Sequence, residues 1–194
     1  MAKIKYTKNE LKQQKDALKR YSRYLPMLLL KKQQLQMEMR RVTAEIIASQ
    51  GKRDKLLEDM QPWLAVLAEE VGLPELVKVE AVDTSIGNIA GVEIPVFNGI
   101  TLAAIEYDIF AMPLWVDRAV IALKQLLTQD AEISVLTKEH SLLHDELRTT
   151  SQRVNLFEKV KIPETRENIR TIQIYLGDEQ TAAVVRGKIA KGRL

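Results

Sequence analysis

His140 and His144 stand four residues apart, a spacing that turns both imidazoles to one side of a helix and can hold zinc. No third ligand is identifiable beside them, and the chain has no cysteine to supply one. His140 also falls on an apolar stripe, so a polar residue tolerated in a packed seam is the better reading. Asp145 and Glu146 can pair with either ring. Gly187-Lys188 has the dipeptide of a phosphate-binding loop without the loop itself, which needs a second glycine five residues earlier. A G-x-S-x-G nucleophile elbow is missing, and a cysteine nucleophile is excluded by composition. The residues therefore assemble no catalytic set, and the expectation is a protein that is not an enzyme and needs no cofactor or metal.

The elements that carry these residues are more informative. Leu11, Leu18, Leu25, Lys32, Met39, Ile46, Arg53, Met60 and Leu67 repeat every seven residues. Their companions are Gln14, Tyr21, Leu28, Leu35, Val42, Ser49, Leu56 and Trp63, which makes 13 of 17 positions apolar with Tyr included. Steps of three and four build a stripe along a helix that another helix must cover. A second frame follows through Ile133, Leu136, His140, Leu143, Leu147, Thr150, Val154 and Phe157, with 6 of 8 apolar, and resumes at Ile162, Ile169, Ile172, Leu176 and Ala183. Two seams in one chain can cover each other. The expected fold is mainly α: a long antiparallel, left-handed coiled coil of the N- and C-terminal helices, with a small middle lobe containing a β-hairpin. Lys32 and Arg53 on the seam either extend their charges to water or fix the register.

Composition agrees. Aromatics make up 5% of the 194 residues, and Gly and Pro together number 14, which suits long helices better than a sandwich or barrel. Disulfide scaffolds are excluded. The basic, polar N-terminus lacks a signal core, and no apolar run approaches the roughly 20 residues of a membrane helix. A soluble, cytoplasmic chain without membrane insertion is expected. The net charge of +3 is unevenly spread: +8 over residues 1–60, −7 over 61–112 and +2 over 113–194. A basic first helix suits nucleic acid, but such charge more often solvates a long helix face.

Thr7-Lys8-Asn9-Glu10 has the form of a capping box and starts the first helix. Gly72 and Pro74 stop it, and Pro26 and Pro62 should bend it. Alternation at 77–81 and 92–96, around a loop Ser85–Gly91, reads as a hairpin, with Pro95 turning its amide side outward from an edge. A short helical turn is expected around Ala103 to Tyr107, and Pro113 suits the first turn of the next helix. Trp63 and Trp115 read as packing residues where the middle segment meets the helices. The domains are then 1–72, 73–112 and 113–194, with fraying from Gly187 onward, and the acidic middle lobe at the end of the coil away from both termini. From Val154 to Ile169 is a 15-residue step, or 3.75 residues per turn, so the supercoil should relax there. Antiparallel pairing with facing numbers adding to roughly 186–194 puts Pro26 and Pro163 at one level, where both helices should bend together.

The segment Arg153-Val154-Asn155-Leu156-Phe157-Glu158-Lys159-Val160-Lys161-Ile162-Pro163 closely resembles the R-V-N-x-x-E-x-x-x-I-P signature of the D subunit of the V-type and archaeal-type rotary ATPases. Thr7-Lys8 with Leu11, Lys15, Leu18 and Leu28-Leu29-Leu30-Lys31 is similar to that family's opening helix, and Ala90-Gly91-Val92-Glu93-Ile94-Pro95-Val96 to its middle stretch. The resemblance implies a central-stalk rotor that couples ATP hydrolysis or synthesis to H⁺ or Na⁺ transport by a membrane ring. It implies as partners the A and B subunits of the catalytic hexamer, the small F subunit, and the funnel-shaped C/d subunit of the ring. It marks Arg153, Asn155, Glu158, Ile162 and Pro163 as structural or partner-contact positions, and Gly91, Val92, Ile94 and Pro95 as those of the hairpin. It places the chain in the cytoplasm, peripheral to the cell membrane. Two rivals share the helical pattern: a prefoldin-like coiled-coil chaperone, and a nucleic-acid-binding helical arm. Polar termini argue against the first, and interspersed acids without interleaved aromatics against the second.

Overall fold

The computed structural model describes residues 4–63, 76–103, 112–113 and 115–192. Helix α1 spans Lys8–Met60, strands β1 and β2 span Val79–Ile89 and Val92–Leu102, and α2 spans Val116–Asn155. A π-helical turn, Leu156–Lys161, leads into α3, Ile162–Ala190. The helices form where the sequence spaces its apolar residues by three and four. Every described position of the first frame, Leu11 through Trp63, is buried or half-buried, and so is every position of the second from Ile133 to Phe157.

The ends differ in detail from expectation. The Glu10 amide donates to Thr7 Oγ1 at 3.2 Å, the first half of the capping box. Its carboxylate does not reach back; it accepts from Gln14 Nε2 at 2.9 Å, a donor one turn ahead. Pro26 lies inside α1, whereas Pro62 falls in a 3₁₀ turn at 61–63, just after α1 ends at Met60. Gly72, Pro74 and most of the turn expected at 103–107 lie outside the described residues. The Val116 amide donates to the Pro113 carbonyl at 3.0 Å, so Pro113 opens the turn that leads into α2. Helix α3 continues through Gly187 to Ala190 instead of fraying, because an interior glycine weakens a helix by about 1 kcal/mol without removing a hydrogen bond. Gly192, at φ 64°, closes the end.

Two compact units divide the chain. The first joins residues 1–33 with 148–194; there Tyr21 packs on Phe157 with ring centroids 5.2 Å apart, and Tyr6 stacks on Tyr175 at 5.0 Å. The second is residues 34–147, with Leu35, Val42, Leu136, Leu143 and Ile94 as its core. Within it Arg53 Nε meets Asp130 Oδ1 at 2.7 Å, an ion pair between the two helices.

That register corrects the one expected. Facing numbers add to 178 for Tyr21 with Phe157, 181 for Tyr6 with Tyr175, and 183 for Arg53 with Asp130. Pro26 and Pro163 together exceed the first unit's values by 8 to 11 residues, about 12–16 Å along a helix. They share no level: the π-helical turn lies in the second helix at 156–161, and α1 runs on as helix through Pro26. A heptad pattern is satisfied almost equally after a slip of one heptad, so apolar spacing could not choose.

The hairpin is longer and tighter than expected. Ile89 faces Val92 across a two-residue turn, Ala90 at φ 52° and Gly91 at φ 82°, the backbone signs of a type I′ turn. Gly91 donates to Asn88 Oδ1 at 3.0 Å. Ser85 to Ile89, expected within a loop Ser85–Gly91, are strand, as are Asp83 and Thr84 before them: Thr101 Oγ1 donates to Asp83 at 2.8 Å, and Ser85 Oγ to Asn98 at 3.2 Å. Pro95 faces Ile86. Counting from the turn, this is a position where the ladder exchanges no bonds, so the missing N–H costs nothing. The tip does not stand clear of the helices. Ile89, Ala90, Val92 and Ile94 pack among Leu35, Met39, Val42, Ile46, Leu136, Leu143 and Leu147. At the base, Leu76, Val116 and Val120 form a second cluster with Val77, Met112 and Trp115, which gives Trp115 its expected packing role.

Candidate functional site

Buried positions in the second frame step by three and four through Leu147, Thr150, Val154 and Phe157, which makes position 161 the next. The buried residue is instead Ile162, and the pattern then resumes at Thr165, Ile169, Ile172 and Leu176. One residue too many separates the two halves of the seam. The π-helical turn takes it up: the Ile162 amide donates to the Phe157 carbonyl, five residues back. Pro163 follows at once, in the first turn of α3. Proline has no N–H to give, and its ring would crowd the carbonyl of Lys159 in a regular helix, which the wider turn relieves.

This geometry sorts the five positions of the 153–163 segment. Ile162 is buried and holds the seam. Arg153, Asn155, Glu158 and Pro163 are exposed, and so are the apolar Leu156 and Val160. In the register set by Tyr21 and Phe157, the level of Arg153 to Leu156 on the second helix is that of Ser22 to Leu25 on α1. Tyr24 is exposed there too, at 52%. The segment thus joins a charged and amide-bearing set to uncovered apolar side chains at one height of the coil, the composition of a protein-docking surface.

The hairpin positions do something else. Ile94 is buried and Val92 half-buried, both within the core of residues 34–147, while Gly91 supplies the turn and Pro95 the unbonded position. Gly87 is also needed: a Cβ there would lie 2.8 Å from Val96 Cγ2. The nine expected positions fall in different units and make two sites.

A third group escaped the sequence reading. Arg41 donates from Nε to Glu38 at 2.8 Å, from Nη1 to Glu45 at 2.7 Å and from Nη2 to Glu139 at 3.4 Å. The spacing of Glu38, Arg41 and Glu45 on one helix was a legible signal, but their convergence with Glu139 needed the register. Burial raises the Glu139 carboxyl above its ordinary value, and Arg41 opposes that shift.

His140 is half-buried on the seam, and His144 is exposed with Nδ1 3.9 Å from Asp145. No group of three His, Asp or Glu placed to hold a metal occurs among the described residues. Trp63 is half-buried and donates from Nε1 to the Asp59 carbonyl at 3.1 Å. Among the described residues, no helix is long and apolar enough to cross a membrane.

Residues 10–192 match the model of the family described as the D subunit of ATP synthase. The V-type ATP synthase D subunit of Borreliella burgdorferi is 48% identical over 194 residues, covering 100% of this chain and 96% of the relative. Those of Chlamydia abortus and Chlamydia caviae are each 34% identical, covering 98% of this chain and 93% of the relative.

Proposed function

Because this chain belongs to the family of ATP synthase D subunits, we propose that it is the central rotor shaft of a V-type rotary ATP synthase. In this reading it couples ATP hydrolysis or synthesis in a hexamer of A and B subunits to H⁺ or Na⁺ movement through a membrane ring. The observation that carries the reading is the full-length family match, supported by two long helices whose seams cover each other. The match spans all three resembling blocks, and nothing comparable favours the prefoldin-like or nucleic-acid readings.

A shaft does mechanical work, and this chain's residues suit that task. Close-packed seam side chains resist sliding, and the ion pair Arg53–Asp130 opposes slip between the helices. The chain itself is non-catalytic: it contributes torque transmission, and the nucleotide chemistry belongs to other subunits. The exposed Arg153, Asn155 and Glu158 form a contact for a partner protein. The helical segments of 1–72 and 113–194 form the shaft, with 73–112 as the middle element. The F subunit and the funnel-shaped C/d subunit complete the rotor, and the chain is cytoplasmic, held at the membrane only through the complex.

Affinity purification of the tagged full chain from its own cells tests this. Co-purification of the A, B and F subunits is expected, with ATPase activity that follows the A and B subunits and is absent from the isolated chain. Prefoldin-type chains or bound RNA in their place would overturn the proposal.

A further inference from the structure

Glu139 carries a charge that the seam does not need. It lies between Leu136 and Leu143 on the packed side of α2, and only 4% of its surface is exposed. One guanidinium reaches it, at the long end of hydrogen-bond range: Arg41 Nη2 at 3.4 Å. The same group gives its short bonds, 2.8 and 2.7 Å, to Glu38 and Glu45 on its own helix. Three carboxylates therefore share one cation, and the buried one has the weakest hold on it. The other elements bring no relief. The hairpin residues packed at this level, Ile89, Ala90, Val92 and Ile94, are apolar, and Glu93 is exposed. On α2 itself Lys138 is exposed, and His140 is turned to the seam.

We propose that Glu139 is a proton-operated clasp on the helix pair, taking up a proton in mild acid and thereby tightening the packing of α2 on α1. A neutral carboxyl keeps an acceptor for Arg41 and no longer buries a charge shared among three acids. Its carboxyl, raised chiefly by burial, fits this role. The sign follows: the folded chain holds this proton more tightly than the unfolded chain. Stability from this site therefore grows as pH falls from the raised folded value toward the ordinary one of about 4.5, and is lost as pH rises through the same window. The inference goes beyond the rotor reading and does not depend on it.

The test compares the full chain with Glu139→Gln in thermal unfolding between pH 7.5 and pH 4.5. Glutamine has the same shape, leaves Arg41 paired with Glu38 and Glu45, and cannot ionise. The expected result is a melting temperature about 2–4 °C above the parent at pH 7.5, a shift of the size one kcal/mol makes in a chain this long, with the gap closing toward pH 4.5. A variant no more stable than the parent at pH 7.5, or a gap that does not change with pH, overturns the proposal. Residue-resolved carboxylate titration gives a second reading in the parent and in Arg41→Gln. The Glu139 midpoint should lie above the ordinary glutamate range and rise further without Arg41. An ordinary midpoint, or one indifferent to Arg41, would equally refute it.

Discussion

Two causes for the π-helical turn can be separated by one substitution, Pro163→Ala. If proline alone forces the turn, alanine should let the helix become regular. If the extra seam residue forces it, the turn should persist. The energies favour persistence. Rewinding 156–161 as α-helix without losing a residue would rotate everything downstream by about 100°, one residue's share of a 3.6-residue turn. Ile162 and Ile172, exposed by 8% and 0%, would leave the seam. At roughly 1.5–3 kcal/mol for each such side chain, the loss is about 3–6 kcal/mol before Thr165 and Ile169 are counted. Pro163 is exposed and already sits in a first helical turn, so its removal offers little against that. Pro163→Ala should unfold in urea within about 1 kcal/mol of the parent, and a crystal structure should retain the bond from the Ile162 amide to the Phe157 carbonyl. Deleting Lys159 from this variant restores a step of four from Phe157 to the next seam residue and should remove the turn while the chain still folds. A regular α-helix in Pro163→Ala with Ile162 still buried would refute the phase argument.

Leu143→Ala, at a position with no exposed surface, should cost about 2–5 kcal/mol in urea unfolding, whereas Ile47→Ala, at 63% exposure, should stay within about 0.5 kcal/mol. Gly87→Ala should destabilise the hairpin through its 2.8 Å approach to Val96, and Val96→Ala in the same chain should restore melting toward the parent. Joint alanine replacement of Arg153, Asn155 and Glu158 should leave the melting temperature within about 2 °C, since surface changes are worth about 0.5 kcal/mol each way, yet deplete a partner protein from the tagged complex. Unchanged co-purification would remove the contact role.

What the sequence disclosed was periodic, and what it hid depended on partners. The stripe from Leu11 to Trp63 and its counterpart from Ile133 to Phe157 were readable because burial repeats with the helix itself. The 15-residue step after Val154 was visible as a phase error, but that the helix inserts a wide turn shows only in the bond from the Ile162 amide to the Phe157 carbonyl. Register was invisible to apolar spacing and is recorded in Arg53 and Asp130. The strands were read too short because Ser85, Gly87 and Asn88 look like loop until the facing strand pairs with them. Glu139 drew no notice in the sequence, because its burial depends on its neighbours. The five signature positions were named as one group, and only structure separates the one that packs from the four that face outward.

The pairing of early residues with late ones has a consequence for synthesis on the ribosome. Nested pairing means that what is made first is covered last. Arg53 waits 77 residues for Asp130, and Tyr6 waits 169 for Tyr175. At about 5–20 residues per second, the N-terminal tyrosine spends roughly 8–34 s without its partner. Throughout that interval the nascent α1 presents an uncovered apolar stripe, and its dense lysines and arginines are what keep it in solution until the second helix arrives.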